Sequence, residues 1–383
     1  MALPAPTLHV FAPDDSGPST IVDDFSPAPD WTLLDFYLWH VRPKCLGASR
    51  RRPNAAPGTL RQYEIALFRW WQAFTGWTAE TLEAGDPFDG RREPRLSELT
   101  DDRCDEFLDA ALDRTWHGEH VSTATVKKWS THLNYCLLRT GPRIGARKHF
   151  ARVLPEAPQI DPPDVPKGPP PDGYSLDQIQ NLLDACGHAT RKPLHRWEPA
   201  VWWRAVILFA YNTGMRPETL FRLRWDHFPR NHPANAGDDR LRVADLPAEI
   251  LKGRAASQRI WLNDAAVDAI APLRRPAGLV FGWPWPTAES TLRHELARLV
   301  ALAGITREAR RGPSPFYGFR RAFATACVAI PHESAPIAAA LMMNHKPPGL
   351  AVMLSHYANP VPLLAAVLPL LPQPGHAKQK LLF

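Results

Sequence analysis

The chain has 383 residues, 45% of them hydrophobic, which is enough to bury a sizeable core and to form two domains. Its 45 Lys+Arg against 39 Asp+Glu leave a net charge of +6, an excess too small to establish a nucleic-acid partner by itself. Five cysteines (Cys45, Cys104, Cys136, Cys186, Cys327) lie far apart and form no CxxC pair, which argues against zinc and disulfide frameworks and leads us to expect a reducing cytoplasm. The start lacks a basic region followed by an apolar stretch, so no signal peptide is expected. Apolar runs such as Ala205 to Tyr211 fall far short of the about 20 residues that a membrane span takes. A soluble protein without membrane association is expected.

Residues 1–29 are rich in Pro, Asp and Ser without periodicity and are expected to form a flexible tail. Trp31, Leu34, Leu38 and Val41 follow helical spacing. A second helix is predicted from Thr59, as N-cap, to Phe74, and a third over Asp101 to Leu112 behind Thr100. The fourth starts after Ser122 and stops at Gly141-Pro142. These four make a small helical bundle over residues 30–153. The proline-rich residues 154–173 then read as a semi-rigid linker. Two basic clusters, Arg42/Lys44/Arg50/Arg51/Arg52 and Arg139/Arg143/Arg147/Lys148/Arg152, are either solvated surface or tracks for a polyanion backbone.

The second domain, 174–383, opens with a helix capped by Ser175. A strongly apolar and therefore central helix, Pro199 to Asn212, is ended by Gly214. Pro217 suits the first position of the next helix, which buries Leu220 and Leu223. Leu241 to Val243 and Gln258 to Leu262 are expected to be short strands flanking Lys252. Helices resume at Asp264 and at Ser290, where Leu292, Leu296, Leu299 and Val300 form one stripe. The fold class is therefore mainly α with a small antiparallel β-sheet. Fourteen tryptophans and 41 prolines are unusual, and the prolines fall largely in linkers and turns, where a fixed φ reduces the freedom of the unfolded chain.

Several polar residues in this second domain suit phosphodiester chemistry. Attack on a phosphodiester by a protein oxygen requires that the nucleophile lose a proton, that the charge of the pentavalent transition state be met, and that the leaving 5′ oxygen gain a proton. Arginine meets the second demand because its planar fork matches two phosphate oxygens. Thr213-Gly214-Met215-Arg216-Pro217-Glu218 places Arg216 where one helix ends and another begins. Alternatively, Arg216 simply pairs with Glu218. Lys252 in its hairpin is either a surface lysine or a proton donor, with Arg254 and Arg259 as its neighbours in that part. Tyr317-Gly318-Phe319-Arg320-Arg321 supplies a second arginine and a phenol, and Asn344-His345 an imidazole. Tyr357 stands 12 positions after His345, next to a rival histidine, His356. No Gly-rich phosphate loop, HExxH or acidic metal cluster is visible, so phosphoryl transfer without metal or cofactor is expected.

In that order and spread, these residues resemble the catalytic set of the tyrosine recombinases, the family of phage integrases and chromosome-dimer-resolving recombinases. The resemblance covers residues 175–362 by motif and the bundle only by architecture, as the family's core-binding (SAM-like) domain. It implies that Tyr357 is the nucleophile, that Arg216 and Arg320 clamp the scissile phosphate, that His345 donates to a non-bridging oxygen and that Lys252 protonates the leaving oxygen. It further implies site-specific cleavage and rejoining of double-stranded DNA through a 3′-phosphotyrosyl intermediate, by a homo-tetramer on paired sites, in the cytoplasm and at the nucleoid. Two positions depart from the family's His-x-Leu-Arg-His pattern: Tyr317 and Arg321 stand where it has histidines. A phenol (pKa about 10) bonds a phosphate oxygen but accepts a proton poorly at pH 7. These departures keep two alternatives open, a catalytically lapsed DNA-binding relative and a type IB topoisomerase-like relaxing enzyme. The apolar segment from Pro360 to Pro372 is expected to dock into a neighbouring protomer, the alternative being that it folds back onto its own domain.

Overall fold

The computed structural model describes residues 27–43, 57–76, 92–116, 119–142, 151–166, 172–191, 197–235, 241–251, 257–285, 287–306, 315–345 and 360–375. The chain divides into two units, Met1–Gly168 and Pro169–Phe383, each with its own apolar core.

The first unit is a helical bundle. Helix α1 (Leu33–Phe36) starts in a capping box: the Thr32 hydroxyl accepts from the Asp35 N–H at 3.1 Å and the Asp35 carboxylate accepts from the Thr32 N–H at 3.0 Å. It continues as a π turn, Tyr37–Val41. Helix α2 (Pro57–Thr75) begins earlier than the sequence suggested. Pro57 occupies its start, where a fixed φ and a missing N–H cost nothing, and Thr59 lies inside the helix rather than capping it. Helix α3 (Asp101–Leu112) is capped by Thr100, and α4 (Thr123–Thr140) by Ser122 and terminated at Gly141. A two-residue ribbon of β1 (Thr115–Trp116) and β2 (Glu119–His120), not expected from sequence, joins α3 to α4. Phe36, Tyr37, Leu67, Trp70, Phe107, Val126 and Leu133 form the core. Ile160 is also buried there, its backbone bracketed by the Asn134 amide in two hydrogen bonds of 2.7 and 2.9 Å. The bundle thus keeps hold of the chain beyond residue 153, where sequence composition had drawn its edge.

One buried acid in this unit is poorly solvated. The Glu93 carboxylate accepts from the Leu34 N–H at 3.2 Å at the start of α1, yet burial pushes its pKa up to about 7. The folded state therefore holds a proton that the unfolded state releases between its ordinary value of 4.5 and about 7, so this group's penalty grows as pH rises through that window. Glu93→Gln is expected to raise the stability of the bundle at pH 8, by an amount on the order of 1–3 kcal/mol, and hence its melting temperature, and to have little effect at pH 4.5. Thermal melts at the two pH values check this; an equal change at both would mean that burial of the charge is not the cause.

The second unit is built around α6 (Pro199–Thr213), in which Trp202, Trp203, Val206, Ile207, Phe209 and Tyr211 are fully buried. Helix α5 (Leu176–Ala185), with a capping box between Ser175 and Gln178, precedes it, and the short α7 (Pro217–Phe221) follows. Strands β3 (Val243–Leu246) and β4 (Gln258–Trp261) pair antiparallel, Val243 opposite Trp261 and Leu246 opposite Gln258. The first strand lies later than the Leu241 to Val243 expected, because Val243, Ala244 and Leu246 supply its buried positions. Helix α8 (Asp264–Ile270), capped by Asn263, packs on α6, as does α10 (Pro315–Val328); α9 (Glu289–Leu302) and α11 (Ala335–Met342) complete the helical layer. The fold is mainly α with a small antiparallel sheet. No helix among the described residues is long and apolar enough to cross a membrane.

In the single chain, the C-terminal apolar segment packs onto its own unit, the alternative to docking in trans. Helix α12 (Val361–Val367) packs against β4 and α11, and in the following turn (Leu368–Leu370) the Leu368 carbonyl accepts from Asn263 Nδ2 at 3.3 Å. Leu364, Val367 and Leu368 are fully buried. The polar ends are matched as well: Tyr211 Oη donates to the Pro372 carbonyl at 2.6 Å, and Gln373 Nε2 donates to Asn212 Oδ1 at 2.8 Å. Burial of each such apolar side chain is worth about 1.5–3 kcal/mol, so Leu364, Val367, Leu368 and Leu371 together match the whole stability of a typical domain, roughly 5–15 kcal/mol. Deleting the chain after Asn359 is therefore expected to unfold the second unit. Circular dichroism and limited proteolysis of the truncated chain decide it; a folded, protease-resistant second unit would mean that the segment is dispensable in cis.

Candidate active site

The site grows from the end of α6. Gly214 closes that helix in the left-handed region, with φ 59°, and a Cβ at this position would run into the Phe323 ring of α10. Only glycine satisfies both demands. The close approach lets the Gly214 carbonyl accept from Arg320 Nη1 at 2.7 Å. Two residues on, Arg216 sits at the N-cap of α7 in extended conformation, half-buried. Its alternative partner Glu218 pairs instead with Arg222 at 3.2 Å, one helical turn away. Helix α7 has only five residues, so the local positive potential comes mainly from the guanidinium.

Arg320 rises from α10 and is 5% exposed. Its fork is held by backbone: Nη1 on the Gly214 carbonyl, Nη2 on the Met343 carbonyl at 2.6 Å. Nη2 also lies 3.0 Å from His345 Nε2. Because a guanidinium only donates, that nitrogen must be the acceptor, which leaves the imidazole proton on Nδ1. Asn344, with φ 51°, makes the left-handed turn that swings His345 back toward α10. Burial, then the charge of Arg216, pulls the Arg320 pKa down to about 10, so it stays charged at neutral pH. Burial, then Arg320 and Arg216, pulls the His345 pKa below its ordinary value. The imidazole is thus neutral at pH 7. Among the described residues, no carboxylate forms a salt bridge with Arg216 or Arg320. Among the described residues, two cations and a neutral imidazole drawn from three separate segments thus act on one another with no carboxylate paired to either arginine, an arrangement suited to an external anion.

Tyr317 lies one turn before Arg320 on the same helix and is 38% exposed. Arg321, in the other departing position, turns elsewhere: its Nε donates to the Asp172 carbonyl at 3.0 Å. Lys252 and Tyr357 lie outside the described residues, as do Arg254 and His356. Of the other hairpin cations, Arg259 is engaged with Asp245 at 2.6 Å. In the basic clusters of the first unit, Arg42 lies 3.6 Å from Glu64 and Arg139 stacks over Tyr135 at 3.3 Å; the remaining members except Arg152 fall outside the described residues. The carbonyls of Gly214 and Met343 are functional groups that sequence reading missed. The signal that was available is Asn344, a residue type that tolerates the left-handed turn, directly before a histidine.

Among the described residues, no group of three His, Cys, Asp or Glu is placed to hold a metal ion. A cavity of about 330 Å³ lined by Trp225, Arg230, Leu241, Arg274 and Arg275 contains none of the candidate residues.

No protein-family model and no curated protein matches the chain. Among solved structures, it is similar to XerH site-specific recombinase bound to difH substrate in a pre-cleavage complex, with a TM-score of 0.52 and 13% identity over 89% of this chain and 98% of that one. It is also similar to a lambda integrase tetramer bound to a Holliday junction (TM-score 0.48, 16% identity, 86% and 78% covered) and to the Tn1549 transposon integrase in complex with circular intermediate DNA (0.46, 15%, 88% and 98%). The XerH likeness shows that the chain shares the fold of that recombinase.

Proposed function

We propose that the protein is a tyrosine-type site-specific DNA recombinase, an integrase that cuts and rejoins double-stranded DNA. What supports this reading is the 3.0 Å contact of Arg320 with His345, the charge of Arg216 acting on both, and the lack of a salt bridge to either arginine among the described residues, within a fold shared with a site-specific recombinase. In this reading Arg216 and Arg320 meet the charge of the pentavalent phosphate, and the His345 Nδ1 proton is free to donate to a non-bridging oxygen. The Tyr357 hydroxyl gives up its proton to solvent water as its oxygen bonds to phosphorus and the bond to the 5′ oxygen breaks, and Lys252 gives a proton to that leaving oxygen. The 3′-phosphotyrosyl link conserves the energy needed for rejoining. Tyr317 serves as a hydrogen-bond donor to phosphate through its phenol O–H.

The substrate supplies the case for assembly. Exchanging two duplexes requires four strand cuts, and a chain with one nucleophile makes one of them, so four copies on paired sites are needed. The unit Met1–Gly168 serves as the core-binding domain and the unit Pro169–Phe383 as the catalytic domain, in a protein that works in the cytoplasm, at the nucleoid when bound to DNA.

The test is covalent trapping on a nicked suicide substrate, in which the short cleaved strand diffuses away and religation fails. The expected product is a protein–DNA adduct that survives denaturation and maps by proteolysis and mass spectrometry to the peptide holding Tyr357. DNA binding without any adduct would make the chain a lapsed relative. An adduct accompanied by supercoil relaxation but no Holliday junction would make it a relaxing enzyme.

A further inference from the structure

Helix α10 carries Arg320 on one face, and its other side is gripped by the residues that lead into α5. The grip has four parts. Arg321 Nε donates to the Asp172 carbonyl at 3.0 Å. The Tyr174 N–H points to the Gly318 carbonyl at 3.4 Å. The Tyr174 ring, 5% exposed, meets the Phe319 ring with centroids 4.8 Å apart. Finally, two glycines face each other across the contact: a Cβ on Gly173 would overlap the Ala322 backbone, and a Cβ on Gly318 would overlap the Tyr174 ring.

A glycine inside a helix costs about 1 kcal/mol relative to alanine, and a packing demand of this kind is the usual reason for keeping it. Residues 318, 321 and 322 share one helical face by their i, i+3, i+4 spacing. Position 320 lies about two residues, or roughly 200°, around the helix from 318. The helix is therefore held between two contacts, the 172–174 segment on one side and the Arg320 fork in its two carbonyls on the other.

We infer that Arg321 and Tyr174 are positioning residues for Arg320, setting the height and rotation of α10 so that the guanidinium reaches both the Gly214 and Met343 carbonyls and His345. This gives a physical role to Arg321, one of the two departures from the histidine-bearing motif. It rests on the proposed recombinase reading only for its catalytic consequence; the geometry of the Arg320–His345 contact stands apart from activity.

The experiment uses the full chain and three variants. Arg321→Ala removes the bond to Asp172, Gly318→Ala pushes against Tyr174, and Arg321→Lys keeps a donor. Two quantities are read: the titration of His345 by NMR without DNA, assigned by loss of its signal in His345→Gln, and the single-turnover cleavage rate at saturating suicide substrate. Arg321→Ala and Gly318→Ala are each expected to move the His345 titration upward, as the Arg320 charge withdraws, and to slow cleavage about 10- to 100-fold with DNA affinity little changed. Arg321→Lys is expected to restore much of both. An unmoved His345 titration in folded Arg321→Ala and Gly318→Ala proteins would overturn the inference, as would parental cleavage rates in both. Should the parent itself fail to cleave, the recombinase reading falls while the titration still decides the positioning role.

Discussion

Tyr357→Phe is expected to abolish covalent attachment to DNA completely while leaving affinity within a few-fold of the parent. The substitution removes one oxygen and keeps the ring, so packing is preserved and only the nucleophile is lost. Other hydroxyls do not replace it. Tyr317 is the nearest phenol by sequence to the arginine pair, but it projects from the same helix as Arg320 one turn earlier, so it approaches the phosphate as a neighbour of the clamp. In-line attack requires the nucleophile opposite the leaving oxygen, on the other side of the phosphorus from which Lys252 donates. The measurement is the suicide-substrate adduct on a denaturing gel beside a binding isotherm. Residual adduct in Tyr357→Phe would move the nucleophile elsewhere, and mapping of the attached peptide would show whether Tyr317 carries it.

Much of this fold was legible because the signals were local. Thr100, Ser122 and Ser175 are caps both by residue type and by geometry, since a short side-chain oxygen next to an apolar periodic run has one favourable use. Gly214 and Pro217 punctuate the chain where sequence placed them, one needing positive φ and the other a helix start. The failures share a cause in tertiary packing. The ribbon at Thr115–Trp116 is too short to show alternation, and β3 is set by burial of Val243 to Leu246 rather than by propensity. The tail from Val361 reads as unaccommodated because its groove is assembled from β4 and α11, far away in sequence. At the site, residue types pointed to Arg216, Arg320 and His345, but the two carbonyls that hold Arg320 belong to the backbone and leave no mark on composition. The same applies to the grip of Tyr174 on α10, for which a mid-helix Gly318 was the one visible sign.

Arg320→Ala is expected to lower the single-turnover cleavage rate by at least 10²- to 10³-fold, the effect of removing one preorganised donor, about 2.7–4 kcal/mol of transition-state stabilisation. The structure gives reasons to expect the upper end. Arg320 is 5% exposed, so its charge acts where water is excluded and screening is weak. Its loss also leaves the Gly214 and Met343 carbonyls without their donor and frees His345 from the contact that fixes its tautomer. Arg320→Lys keeps a charge but not the fork. A single ammonium on a flexible stem cannot span two carbonyls and still face a phosphate, so rescue should be poor. Binding should change far less, because one lost phosphate contact lowers the log–log salt slope by only about 0.9. Two readouts separate this from simple destabilisation. The variant should fold by thermal melt, and its His345 should titrate higher than in the parent, since Arg320 is the nearest charge holding it down. Cleavage within a few-fold of the parent, by a folded Arg320→Ala protein, would make Arg320 a structural arginine and would remove the clamp from the proposed mechanism.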